Sequence, residues 1–176
     1  MYKCYHNKIV QGTDSFHVSQ IIGENLLFLS TWILAGYLLW PVWSPSGIPA
    51  LTIFWILLVV IVQVLLKKHN CSGCYYYDKR CHLGWGKISS ALFKQDSGNL
   101  KAGLRFSLFY IVTPPAVLVT SVIFGITQHP SWIYWLMLVI FVFLNVISFP
   151  VRKSGCSACT MRETCSGSAV KGKQYK

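Results

Sequence analysis

Four runs of this chain contain no Asp, Glu, Lys, Arg or His: Leu26 to Trp43, Pro49 to Leu66, Phe106 to Ile126 and Trp132 to Val151. A helix needs about 20 predominantly apolar residues to cross a hydrocarbon core, and inside it every backbone polar group must be satisfied within the segment. The runs therefore predict an all-α integral membrane protein with four transmembrane helices. Composition agrees: 53% of the residues are hydrophobic and 12% charged, where soluble domains carry about 25% charged residues. The first two runs are the shortest and should stand fairly upright.

Pro49 suits the first position of its helix, and Pro114-Pro115 should kink the third. Trp40, Trp43, Trp132, Tyr134 and Trp135 fall at one end of the spans, where an aromatic belt is expected. Met1 to Glu24 is polar and lacks the apolar core and small-residue cleavage site of a signal peptide, so no removable leader is expected. Within it, Val10 to Ile22 has a poor amphipathic pattern for an interfacial helix.

An even number of spans puts both termini and the central loop on one side. All 16 Lys and Arg lie there: two in the N-terminal segment, eight from Lys67 to Arg105 and six from Arg152 onward. The opposite side has only the tight turns near Ser44 to Ile48 and Thr127 to Ser131. Short loops rich in Lys and Arg stay cytoplasmic, so the basic side is expected to face the cytoplasm, with the plasma membrane as host. The formal charge of +11 is thus read as topology and lipid contact rather than nucleic-acid binding.

The two halves repeat. Cys71-Ser72-Gly73-Cys74 follows the second span, and Cys156-Ser157-Ala158-Cys159 follows the fourth. Lys67-Lys68 matches Arg152-Lys153 at the same offset, and Pro45-Ser46 and Ile48 match Pro130-Ser131 and Ile133. Each half reads as span, turn, span and cysteine motif, and halves of equal orientation commonly share a ligand at their interface. The chain divides accordingly. Residues 1-25 form an N-terminal interfacial segment, 26-90 the first half and 91-169 the second, with 170-176 as a basic tail. In the central loop, Lys87 to Lys94 suits a short helix in the headgroup layer and Gln95 to Asn99 a turn.

Each CxxC has a third cysteine behind it, Cys81 with His82 adjacent in the first half and Cys165 in the second. In a reducing cytoplasm stable disulfides are not expected, and paired CxxC motifs point to metal. Two intervening residues let the backbone turn tightly, so that both sulfurs aim at one ion and turn amides donate to them. Cys71, Cys74, Cys156 and Cys159 form a complete four-thiolate set, which suits zinc, a single iron or an iron–sulfur cluster. Cys81 and Cys165 then remain for a second site with His82 and Cys4. Alternatively each half binds its own centre through three sulfurs, leaving an open position, or closes a zinc site with His82. Cys4 stands out of register with the repeat and reads more simply as an unengaged thiol.

Lys67, Lys68, Lys79, Arg80, Arg152 and Lys153 would favour thiolates and the negative charge of a cluster, though they serve equally as membrane-edge anchors. Tyr75-Tyr76-Tyr77 and Trp85 surround the first motif with aromatic surface, either as anchors or as a dry lid. Haem is disfavoured: the CxxCH string is absent and no His lies within a span. His69 and His129 are expected in solvent.

Other classes are narrowed by what is missing. No acid or base lies inside a span, which argues against a proton relay. No hydrolase, protease or nucleotide-loop motif occurs. Gln63 and Asn145 are expected to bridge helices. The expected function is a cysteine-ligated centre at the cytoplasmic surface, iron–sulfur and redox-active. It would pass electrons between a soluble donor and a quinone-like carrier, which makes the chain an oxidoreductase or a component of one. The alternative is a zinc-stapled interaction protein; soft-metal handling is a lesser one, because only Met137 offers a soft ligand within the spans.

Overall fold

A computed structural model describes residues 9–42, 47–165 and 167–170. Cys4, Trp43, the Pro45-Ser46 arm of the repeat and all but the first residue of the basic tail lie outside the described residues.

The described residues build six α-helices and no strand: α1 Val18–Leu39, α2 Ala50–Leu66, α3 Trp85–Leu92, α4 Leu100–Ser107, α5 Phe109–Gln128 and α6 Trp132–Ser157. Four helical segments are long and apolar enough to cross a membrane: α1, α2 with its extension to Cys71, the joined α4 and α5, and α6. Every span differs somewhat from its sequence-based limits. The first begins at Val18 rather than Leu26, because Gln20, Glu24 and Asn25 find protein partners rather than water. α6 continues past Val151 to Ser157, and 26 residues at 1.5 Å each make about 39 Å. That exceeds a hydrocarbon core of about 30 Å, so the helix end carrying Cys156 projects beyond it. Helix α2 ends in a π-helical turn, Lys67–Cys71. Pro49 precedes α2 as its cap rather than occupying its first turn, and α5 continues through Pro114 and Pro115.

The membrane core is small. Ala35, Leu38 and Leu39 of α1, Trp55 of α2, Val117 of α5 and Tyr134, Leu138 and Phe141 of α6 bury together. Outward positions such as Ile33, Ile111, Val139 and Val146 are more than half exposed, which suits acyl chains rather than water. Hydrogen bonds tie the helices where the hydrophobic effect gives little purchase. Thr52 Oγ1 donates to Gly36 O at 3.0 Å, and Trp55 Nε1 to Trp32 O at 3.3 Å. Gln63 of α2 donates to the Tyr110 hydroxyl of α5, a bridge of the kind expected. Asn145 instead donates to Phe141 O of its own helix.

Two aromatic and histidine expectations need correction. Tyr134 is no belt residue: it is 4% exposed and donates to Leu38 O and Ser121 O. A hydroxyl on an inward helix face finds carbonyls there. His69 is not simply solvated, since its Nδ1 accepts from Asn99 N at 3.0 Å and its ring stacks on Phe106. His129 is exposed, as expected, with a left-handed backbone (φ 46°) that ends α5.

Residues 9–17 are not helical, in keeping with the poor pattern of Val10 to Ile22, whose last five residues instead open α1. They run extended across both cysteine motifs. Thr13 N donates to Ala158 O at 2.8 Å and Val10 N to Thr160 O at 3.2 Å, while Phe16 N donates to Arg80 O at 3.0 Å. Gly12 permits this approach, since a Cβ there would lie 2.7 Å from both Ala158 O and Thr160 N. The backbone amides that an extended segment leaves open are met by the second motif.

Candidate metal centre

The two cysteine motifs fold alike. In the first, Cys74 N donates to Cys71 O at 3.2 Å, Tyr77 N to Cys74 O at 3.0 Å and Lys79 N to Tyr76 O at 2.8 Å. In the second, Cys159 N donates to Cys156 O at 3.2 Å, Arg162 N to Cys159 O at 3.2 Å and Thr164 N to Met161 O at 3.1 Å. Each bond of the first motif thus recurs at the matching position of the second. After the third cysteines the register shifts by one, as Gly84 N donates to Cys81 O and Ser168 N to Cys165 O.

The sulfurs receive matching amides. Met161 N lies 3.4 Å from Cys159 Sγ, and the backbone N–H of Tyr76 donates to Cys74. A tight turn after CxxC aims the amide two residues on at the second sulfur, and that amide stabilises negative charge on it.

Both turns pack on one core. Tyr76 and Met161 hold equivalent positions in the two motifs and are each 1% exposed. They bury with Phe16 and Cys159, and Cys74, Cys81 and Cys165 pack around them. Sulfurs from both halves thus converge on one side of the bundle. None of the six described cysteines is in a disulfide. Among the described residues, no group of three or more His, Cys, Asp or Glu side chains is arranged to hold a metal ion.

Burial raises the Cys74 thiol well above its usual range, and negative charge on Cys71, Cys165 and Cys81 raises it further. The Cys159 thiol is pushed up to about 12, first by burial and then by Cys165 and Cys156, against the pull of the Met161 amide. Cys165 of the second half therefore acts on Cys74 of the first. Crowded, desolvated thiols stay protonated unless a cation enters among them.

His82 lies edge-on to Phe16 of this core, ring centroids 5.8 Å apart, and is hydrogen-bonded with Cys156. Its Nδ1 lies 2.6 Å from Glu24 Oε2, and Gln20 Nε2 donates to Glu24 Oε1 at 3.1 Å. Desolvation alone would lower the His82 pKa, but hydrogen bonds with Cys156 and Glu24 hold it up at about 9. Glu24, 4% exposed, has no counterpart among the sequence-derived site residues. Its only sequence signal was an isolated acid at the edge of an apolar run.

The aromatic surround divides by residue. The Tyr76 hydroxyl donates to Thr13 O and accepts from Thr160 N at 3.2 Å, tying the N-terminal segment to both motifs. Tyr75 donates to Asp14 Oδ1 at 2.5 Å and Tyr77 to Phe93 O at 2.8 Å. Of the basic group, Lys67 lies over Trp85 at 4.8 Å, Lys79 over Tyr75 at 4.0 Å and Arg152 over Tyr110 at 5.6 Å.

No protein-family model, curated protein or solved structure matches the chain. The reading of the site therefore rests on its own residues. What the structure brings together is thiols from both motifs on one core, two of them taking a turn amide.

Proposed function

We propose that this chain is a tandem duplication of two helix hairpins whose cysteine motifs jointly hold a metal centre at the cytoplasmic membrane surface. The observation that carries this is the pair of equivalent N–H to sulfur contacts, Tyr76 to Cys74 and Met161 to Cys159, on turns packed against a single core. Cys71, Cys74, Cys156 and Cys159 would be the principal ligands, with Cys81 and Cys165 beside them. His82 would ligate or orient from the Cys156 side. An iron–sulfur centre bound there would supply one-electron redox chemistry between a soluble donor and a lipid-soluble carrier. The chain's own residues would exclude water from the sulfurs through Tyr76, Phe16 and Met161, and turn amides would offset thiolate charge.

A second reading, a zinc staple, is favoured by a different observation. The segment 9–16 is bonded to both motifs, so a metal here would clamp three stretches far apart in sequence. Four thiolates closing on zinc give a structural site without redox chemistry.

Metal and acid-labile sulfide analysis of protein purified without oxygen separates the two. A visible absorption that bleaches on reduction, with iron and sulfide present, supports the redox reading. Colourless protein with one zinc supports the staple. Protein with neither metal, after supply of both during expression, overturns the metal centre altogether.

A further inference from the structure

A cavity of about 470 Å³ opens between α1, α5 and α6 on the cysteine side of the bundle, within the size range of small-molecule sites. Its lining changes with depth. Along α6 the wall runs from Phe141 through Asn145 and Ser148 to Arg152, which is about 16 Å at 1.5 Å per residue. At the other end the lining residues Ala35, Trp55 and Val117 are buried, with Thr31 and Thr113 one helical turn away. Asn145, Ser148, Ser168 and the Arg152 guanidinium gather at the Arg152 end, taken as its mouth.

The mouth also has an aromatic wall. Trp32 and Tyr110 stack with centroids 6.1 Å apart and an interplanar angle of 27°, and Phe28 meets both edge-on. Among the described residues, Arg152 is the only charged one lining the cavity, and no carboxylate faces it. One Arg152 nitrogen donates to Gly167 O at 2.9 Å, out of the five N–H bonds a guanidinium carries. A guanidinium with spare N–H groups beside aromatic rings, and no carboxylate, suits a planar ring bearing carbonyl acceptors better than a cationic head.

The cavity and the thiol site share a wall. Ser168 and Ala169 line the cavity, and the Ala169 backbone N–H donates to the Cys156 sulfur. From these observations we propose that the cavity binds a lipid-soluble quinone, ring at Arg152 and Tyr110 and tail toward Val117. The choice of a redox-active ring rests on the metal-centre reading above. An acyl chain alone would make no use of Arg152 or the stacked wall, and a quinone uses both together with the buried far end.

The test is direct binding of decylubiquinone to the full chain in detergent, read by quenching of tryptophan fluorescence, since Trp32 and Trp55 line the cavity. Saturable quenching at one ligand per chain is expected, weakened about tenfold by Arg152→Gln, as for loss of one charged hydrogen bond. Because Arg152 also holds Gly167, Ser148→Phe serves as a second variant that narrows the mouth and leaves that bond intact; it should weaken binding at least as much. Linear, non-saturating quenching overturns the proposal. So does equal displacement by a phospholipid or by an alkylbenzene of the same tail length. Iron and zinc are measured on the same samples. Metal-bearing protein that fails to bind sinks the quinone site and leaves the metal centre standing. Protein that binds saturably but carries no metal supports the site and rejects the centre.

Discussion

Glu24 Oε2 lies 2.6 Å from His82 Nδ1, with the two side chains 4% and 12% exposed. The pair joins the first turns of α1 to the loop behind the first cysteine motif, beside Cys156 of the second. One acid at the membrane edge thus connects three parts of the chain. Glu24→Ala leaves His82 buried without its acceptor and is expected to cost about 3 kcal/mol. The Glu24→Ala/His82→Ala double variant should cost less than the two single changes added together. Thermal unfolding in detergent measures this; strictly additive losses would mean that the pair contributes nothing.

Gly155 sits where α6 passes this pair. A Cβ there would fall 2.8 Å from Glu24 Oε1 and 2.9 Å from His82 Nδ1. Gly155→Ala should therefore destabilise by about 1–3 kcal/mol through overpacking. Gly23→Ala is the control, because nothing lies within 4 Å of its added Cβ. That change should be neutral or stabilise by up to about 1 kcal/mol through helix propensity. The contrast in melting temperature between the two is the readout.

The Tyr76 hydroxyl is the polar tie between the N-terminal segment and both motifs. Tyr76→Phe keeps the ring but strands the Thr160 amide and leaves the Thr13 carbonyl with only the 3.3 Å bond from Thr160 Oγ1. A cost of about 1–3 kcal/mol is expected for a buried partner left unpaired. Residues 9–17 should also become cleavable by protease under conditions where the parent chain resists. Unchanged cleavage would place the segment's anchorage elsewhere, in its own backbone bonds.

Cys74 and Cys165 should behave differently on substitution by serine. Cys74→Ser removes a sulfur that takes a turn amide and is expected to abolish metal retention under either metal reading. Cys165→Ser discriminates between one shared site and two. Unchanged metal per chain supports a single four-thiolate set from Cys71, Cys74, Cys156 and Cys159. Half the metal supports one centre in each half.

The basic residues gathered on the motif side predict an orientation that labelling can check. Ser97→Cys, in the turn before α4, should resist a membrane-impermeant maleimide applied to intact cells. His129→Cys, at the opposite turn, should react. The reverse pattern would turn the thiol site to the outside and replace metal with disulfide chemistry as the natural reading.

Local chemistry made the all-helical class and the four long apolar helices readable from the residues. A run without charges must form its own hydrogen bonds, and a CxxC turn closes through contacts between near neighbours in sequence. Those features need no knowledge of distant partners. Glu24 with His82, Tyr134 in the core and residues 9–17 laid across both motifs were decided by tertiary structure alone. In each case a polar group's partner is remote in sequence, and only packing determines whether it meets water, a carbonyl or a counter-charge. The cavity beside Cys156 belongs to the same class, because a void is the space that three helices fail to fill together.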